Sequence, residues 1–557
     1  MSQSPHRAGQ DDASHDTPNA AHHDADDRSA APEPIAAPDM RPSSQAAMPN
    51  AEIELKLLCD PEQLIELSHS AVVSRYARDG GTQADLTNIY YDTPDHVLQG
   101  LGAVLRVRSD GKRFVMTLKM SDRDHGKPLE RIEWNIPVSS MQPEHAALSP
   151  ILPKALFEKI GNAPLNPVFS TLVRRETRIL GTPLGTVELA MDRGRIVAGD
   201  RSREISEIEL ELVDGRTEAI FLLAQELMAD AALRPTIYSK SAAGFDLALD
   251  NPPHIAVAPK PALDGRATLD QVVERILHAA YLHLLESQPA AEDGRNPEGI
   301  HQFRIALRRL RSVLGLMQSM APSPQMDAIA KEAKWLLSGL SDARDWAVFL
   351  TETLPAIAGA CPSIDGFDAL RGVAEGHRSK AHAAARAAIT DPRTGRFQIA
   401  LGLWIERKGW RAGLSQKERS VLMAPARGLA AQALAALHRK ALKRGRHFKT
   451  LSPEQRHRLR IAIKKLRYAA DFLLPLIGKG KGRRRYADRL ARLQDHLGRS
   501  NDLAVMERLV RQVMTGAVPV AVHDAAGALL GWQAAIVSRD DAELRAAWKS
   551  FKDSDSP

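Results

Sequence analysis

Cysteine is nearly missing from this sequence. Cys59 and Cys361 are the only two in 557 residues, and they stand far apart. That argues against a disulfide-stapled scaffold and a cysteine-rich metal cluster, and it suits a reducing, cytoplasmic compartment. No uninterrupted apolar run of about 18 residues occurs, so no membrane span is expected. The N-terminus lacks the basic-then-apolar pattern of a secretory signal. Aromatic residues are sparse, at 5% of the chain. Charge is plentiful but unevenly spread. Residues 1–50 hold 3 Lys/Arg and 8 Asp/Glu, residues 51–250 hold 23 and 30, and residues 251–557 hold 49 and 30. A C-terminal half this basic points to a polyanionic partner: nucleic acid, an anionic membrane or inorganic polyphosphate.

Composition and period divide the chain. Residues 1–48 are rich in Ser, Ala, Asp, Pro and His without apolar period, and read as a disordered tail. His6, His15, His22 and His23 belong to that solvated tail. Residues 49–250 show short alternating stretches, among them "EIELKL", "AVLRVRSDGKRFVMTLK", "LVRRETRIL" and "SEIELELVDG", which predict strands. "SDGK" is a hairpin turn signal. A helix is expected after Asp60, with Pro61 at its first position, and another over about 216–231. A Pro-rich linker follows at 251–265. From 266 to 550 the period is helical, and a motif recurs: "HQFRIALRRLR" from His301 and "HRLRIAIKKLR" from His457. "LSDARD" (340–345) matches "LGRSND" (497–502), one residue out of register. The helical half therefore divides into repeats at about 266–400 and 401–550.

The polar face of the strands is mostly Glu, Arg and Lys. Glu52, Glu54 and Lys56 share one face of "AEIELKLLCD", with Ile53 and Leu55 on the other. Arg106 and Arg108, then Lys119, Arg131 with Glu133, and Glu207, Glu209 and Glu211 repeat the pattern. A closed sheet with charges inside and apolar residues outside, covered by helices, accounts for this better than a solvated face. Like-signed carboxylates held this close need a cation between them. Carboxylate oxygens without His or Cys suit Mg2+ or Mn2+. The basic residues need an anion, and a metal–polyphosphate complex meets both demands.

Glu52-x-Glu54-x-Lys56 resembles the ExExK signature of the CYTH, or triphosphate tunnel metalloenzyme, family. "YYDT" (90–93), "LRVR" (105–108), "TLK" (117–119), "RIE" (131–133), "MDRG" (191–194), "EIELEL" and "YSK" (238–240) follow in the family's order. The resemblance implies an antiparallel eight-stranded β-tunnel with covering helices that hydrolyses or cyclises triphosphates with a divalent metal. It implies metal-binding roles for Glu52, Glu54, Asp192, Glu209 and Glu211, and triphosphate clamps at Lys56, Arg106, Arg108, Lys119 and Lys240. Glu52, Glu54 and Lys56 form the expected catalytic group. In "LVRRETRIL" two registers stay open: Arg175 inward with Thr177 beside it, or Arg174, Glu176 and Arg178 inward. Arg175 is taken as a further substrate contact.

In the helical half, His301, Arg304, Arg308 and Arg311 fall on one helix face, as do His457, Arg460, Lys464 and Arg467. Like charges one turn apart repel, and the duplication of the stripe suggests that a bound polyanion offsets the cost. Phe303 and Tyr468 are the only nearby rings, whereas single-strand nucleic-acid binders interleave aromatic platforms with basic residues. Nucleic acid is thereby disfavoured. This half resembles a CHAD domain of two repeated four-helix bundles. The resemblance implies polyphosphate binding through His301, Arg304, Arg308, Arg309, Arg311, His457, Arg460, Lys464, Lys465 and Arg467. The expected molecule is multidomain, α+β then all-α: an inorganic triphosphatase tethered to a polyphosphate-binding module. The competing readings are a non-catalytic protein recruited to polyphosphate granules, a nucleotide or thiamine triphosphatase, and an adenylate cyclase.

Overall fold

A computed structural model describes residues 50–120, 130–148, 154–161, 163–318, 323–477, 480–516 and 518–554. The tail at 1–48 lies outside the described residues. Nine strands form one antiparallel sheet: β1 (Asn50–Leu58), β2 (Thr82–Asp92), β3 (Ala103–Ser109), β4 (Phe114–Met120), β5 (Glu130–Val138), β6 (Asn166–Thr182), β7 (Gly185–Ala198), β8 (Arg201–Gly215) and β9 (Arg234–Thr236). Their order is β5-β4-β3-β2-β6-β7-β8-β1-β9, and β1 pairs with β5 as well as β8. That second pairing closes eight strands into a tunnel. The three-residue β9, which no sequence period announces, adds to the end of β1 with Thr236 opposite Lys56.

Alternation turns the tunnel inside out relative to a soluble barrel. On β3, Ala103, Leu105 and Val107 are buried on the outer face, while Arg106 and Arg108 point into the lumen. The β3–β4 turn holds Gly111 at φ 83°, a left-handed conformation that glycine adopts without Cβ strain. Helix α1 (Pro61–Ser68) starts where Asp60 accepts a bond from the Glu62 amide and Pro61 fills the first turn. With α2 (Ala71–Tyr76) and α3 (Glu218–Leu227) it covers Leu55, Leu57, Leu189, Ile208 and Leu210. Each large apolar side chain so buried stabilises the fold by about 1.5–3 kcal/mol. Short helices at His145–Leu148 and Lys154–Ile160 cover the β3–β4–β5 side, where Met116 and Leu118 are buried. Helix α4 (Lys240–Leu249), capped by Ser239, packs on β6, β7 and β8.

No strand element occurs beyond β9 among the described residues. The first bundle comprises α5 (Leu269–Asp293), α6 (Glu298–Gln318), a broken third arm of α7 (Pro324–Gly339), α8 (Ser341–Val348) and α9 (Leu354–Ala360), and α10 (Phe367–Thr390). Helices α11 (Pro392–Glu406) and α12 (Gln416–Leu422) connect it to the second. That bundle comprises α13 (Ala426–Arg444), α14 (Pro453–Ile477), α15 (Lys481–Val513) and α16 (Val520–Lys552). The two motif copies open α6 and α14, which pack against each other. The third arm is continuous in the second repeat but carries a π-helical turn at Phe349–Thr353 in the first. The Pro-rich segment is strapped down rather than loose: Arg309 donates to the Pro259 carbonyl at 3.0 Å and Arg275 to Ala262 at 3.1 Å.

Candidate active site in the β-tunnel

The lumen is a cavity of about 360 Å3 bounded by side chains from all eight strands of the tunnel and from α4. Register decides who meets whom. Lys56 is paired opposite Glu209, Glu54 opposite Glu211, and Arg175 opposite Asp192. All six side chains line the cavity, together with Arg106, Arg108, Lys119 and Lys240. Glu52 is paired opposite Arg131 at the parity of Glu54 and Lys56; its side chain lies outside the described residues. The open register of β6 resolves with Arg175 inward, and Glu176 and Arg178 pair with each other at 2.8 Å.

At one end, ammonium groups interleave with carboxylates. The Lys56 amine reaches Glu207 at 3.0 Å, Glu54 at 3.3 Å and also Glu209. The Lys240 amine reaches Asp192 at 2.6 Å, Glu209 at 2.9 Å and Glu207. Arg175 grips Asp192 with two bonds, at 2.7 and 2.6 Å, and also holds Glu209. Burial would raise the Glu209 carboxyl, but Lys240, Lys56 and Arg175 outweigh it and hold it well below the usual carboxylate range. Asp192 is depressed in the same way, with burial opposed chiefly by Lys240. Burial opposes the charge of Lys240, yet Glu209 above all keeps its amine pKa raised. Carboxylate oxygens of Asp192, Glu207 and Glu209 lie within 4.8 Å of one another. An all-carboxylate donor set of this size fits a hard divalent cation.

The other wall is short of negative charge. Lys119 pairs with Glu133, and Arg106 reaches Glu133 at 3.7 Å. Arg108 donates to Asn88 at 2.9 Å, and Asn88 donates to Thr171 at 2.9 Å. Arg106, then burial, then Arg175 push the Arg108 guanidinium down to about 10. A guanidinium crowded by two others marks a place where a bound anion would relieve repulsion.

A family model described as the CYTH domain matches residues 50–238, and one described as the CHAD domain matches residues 275–511. The chain joins a CYTH domain to a CHAD domain. An inorganic triphosphatase of Haemophilus influenzae is 31% identical over 195 residues, which cover 35% of this chain and 54% of that protein. The chain thus spans about half the length of this curated relative. Among solved structures, the CHAD domain of the plant Ricinus communis is 30% identical, covers 55% of this chain and 98% of that one, and has a TM-score of 0.47. A Hippeastrum protein described as an adenylyl cyclase with dominant triphosphatase activity is 19% identical, with a TM-score of 0.25 over 35% of this chain and 94% of that one.

Within the CHAD domain the structure gathers part of the predicted basic set. The Lys464 amine is pushed down by burial, then by Arg460, Arg308 and Arg304. Arg304 is pushed down by burial and Arg308, and donates to Ser341 at 3.0 Å. His301 is lowered by burial and Arg344. These side chains converge between α6 and α14. His457 is exposed, and Arg311 is partly buried on α6. Three others face elsewhere. Arg309 lies over the Phe472 ring at 5.3 Å and holds the linker. Lys465 borders a small hollow between α13 and α14 with Lys440 and Arg444. Arg467 reaches Asp495 on α15 at 3.6 Å. Arg309 and Lys465 each stand one position, about 100°, round the helix from the stripe. Sequence reasoning missed Arg344, hidden inside a segment matched for its acids. It also left out Glu188, whose spacing from Asp192 alternates; Glu207, whose strand spacing with Glu209 and Glu211 called for a cation, was not among the metal ligands that the family resemblance implied.

Proposed function

We propose that the CYTH tunnel hydrolyses inorganic triphosphate with a divalent cation, and that the CHAD domain holds longer polyphosphate chains. The observation that carries the reading is the division of the lumen into a carboxylate-rich end, with Asp192, Glu207 and Glu209 converging, and a cationic wall at Arg106 and Arg108. An unbranched phosphate chain carrying a cation is complementary to both. Among the described lining residues the only aromatic ring is Tyr90, and it already stacks on Phe169 at 4.3 Å. That leaves no free platform for a nucleobase and favours an inorganic substrate over a nucleotide.

Asp192, Glu207, Glu209 and the adjoining Glu54 would hold the cation; Mg2+ or Mn2+ fits their oxygens. Bound there, such an ion neutralises phosphate oxygens and makes water more acidic. Arg106, Arg108 and Lys119 bind the far phosphates. Lys56 and Lys240 position the near one, and Arg175 fixes the Asp192 and Glu209 carboxylates. Attack of water on a terminal phosphorus breaks one P–O–P bond, and tripolyphosphate gives orthophosphate and pyrophosphate. The chain's contribution is placement of charge, which is most of what phosphoryl transfer asks of a protein. The test incubates full-length protein and Mg2+ or Mn2+ with tripolyphosphate, ATP, thiamine triphosphate or long-chain polyphosphate, following phosphate and cyclic AMP. Tripolyphosphate is expected to be the best substrate. Phosphate release from ATP alone, or cyclic AMP formation, would contradict the reading.

A further inference from the structure

The tunnel is held in part by the helical domain. β9 lies beside β1, with Thr236 opposite Lys56, and only three residues separate Thr236 from Lys240. On its other side this strand meets α11 and α5. Gly395 of α11 sits so close that a Cβ there would stand 2.3 Å from the Leu233 carbonyl oxygen, and the obstacle is backbone. Arg234 of β9 is held at 3.0 Å by Glu292 of α5. Glu292 accepts from Gln288 at 2.8 Å, and Gln288 accepts from the buried Gln398 of α11 at 2.7 Å. A chain of polar contacts thus runs from α11 through α5 to the strand leading into the tunnel lysine. Gly402 repeats the close approach, where a Cβ would meet the Phe221 ring of α3 at 2.3 Å. Beyond Lys240 the chain is anchored by the tunnel itself, through α4 on β6–β8. Lys240 stands at the join.

We infer that Gly395 and Glu292 of the helical domain are positioning residues for the tunnel, fixing β9 and through it Lys240 among Asp192, Glu207 and Glu209. The inference rests on the proposed hydrolytic role of the tunnel only for its consequence in rate, not for the geometry. Two variants displace β9 by different means: Gly395→Ala pushes on the Leu233 carbonyl, and Glu292→Gln weakens the tie to Arg234. Gly376→Ala, on α10, is the matched control, because a Cβ there meets nothing within 4 Å.

The first readout needs no activity. Lysines of the full-length protein are acylated by an N-hydroxysuccinimide ester, and modification at Lys240 is compared with that at the exposed Lys331 by peptide mass spectrometry. Lys240 is expected to react severalfold faster in both displaced variants, with Lys331 unchanged and the control like wild type. Equal Lys240 reactivity in all four proteins overturns the inference. Should Gly395→Ala fail to fold, Glu292→Gln alone decides it. The second readout is tripolyphosphate hydrolysis against pH. Misplacing a group by about 1 Å costs up to roughly a hundredfold in rate, so kcat should fall and the pH profile shift in Gly395→Ala. If wild type releases no phosphate, the hydrolytic reading falls while the labelling result still stands or fails by itself.

Discussion

Asp192 is fully buried and is shared by Arg175 and Lys240. Like Glu209, it ionises more readily folded than unfolded. The stability both contribute is full above the unfolded carboxylate range, at about pH 4, and is lost as pH falls through their depressed folded values. His283 titrates earlier. Burial, then Arg309, push its imidazole from 6.5 to about 4, so the folded state favours the neutral ring. Its contribution is full above pH 6.5 and is lost between 6.5 and about 4. Thermal melts should therefore weaken from near pH 6.5 downward, by up to about 1.4 kcal/mol per pH unit from this ring, and the His283→Gln variant should show a shallower fall, the remainder coming from His301 and His438, which burial also lowers. A wild-type Tm unchanged from pH 6.5 to 5 would contradict this. Glu209→Gln should lose about a hundredfold or more in phosphate release while keeping its circular dichroism. Asn88→Ala, which frees Arg108, should raise KM for tripolyphosphate with little change in kcat, the signature of lost uniform binding.

At the scale of elements, α6 and α14 oppose their basic stripes, so polyphosphate binding should respond to each cation as a counterion exchanger does. Arg304→Ala, Arg460→Ala and Lys464→Ala should each weaken binding and reduce the slope of log affinity against log salt by about one. Long-chain polyphosphate should outcompete single-stranded DNA; titration at several salt concentrations checks both, and the reverse order would remove the assignment. The tunnel strands were legible because charge alternates with aliphatics in them: the spacing of Glu54, Lys56, Arg106, Arg108, Glu209 and Glu211 alone placed them in one lumen. Parity left β6 undecided, since Arg174 and Arg175 are both basic; pairing with Asp192 settles it. β9 was not legible, because three residues carry no period. Arg309 was misjudged because a helical stripe one residue wide cannot be told from its neighbour by charge, and packing against Phe472 turned it to the linker.

At the scale of the whole molecule, one apolar core crosses the boundary the sequence suggested. Leu57 and Leu210 of the tunnel, Phe221 of α3, Tyr281 of α5 and Phe397 of α11 belong to one buried cluster. Tunnel and first bundle should therefore unfold together, in one transition seen alike by tunnel and helix probes. The repeat predicted the bundles, but nothing in composition announced that α11 would bury its face on the tunnel. No described helix is long and apolar enough to cross a membrane. The central claim is that the lumen exists to hold a cation-bound phosphate chain. Phosphate release from tripolyphosphate by the full chain, with and without Mg2+ or Mn2+, beside a Lys56→Ala variant, tests it most directly. The account predicts release that requires the metal and nearly vanishes in the variant; no release with either metal, or a variant as active as wild type, would contradict it.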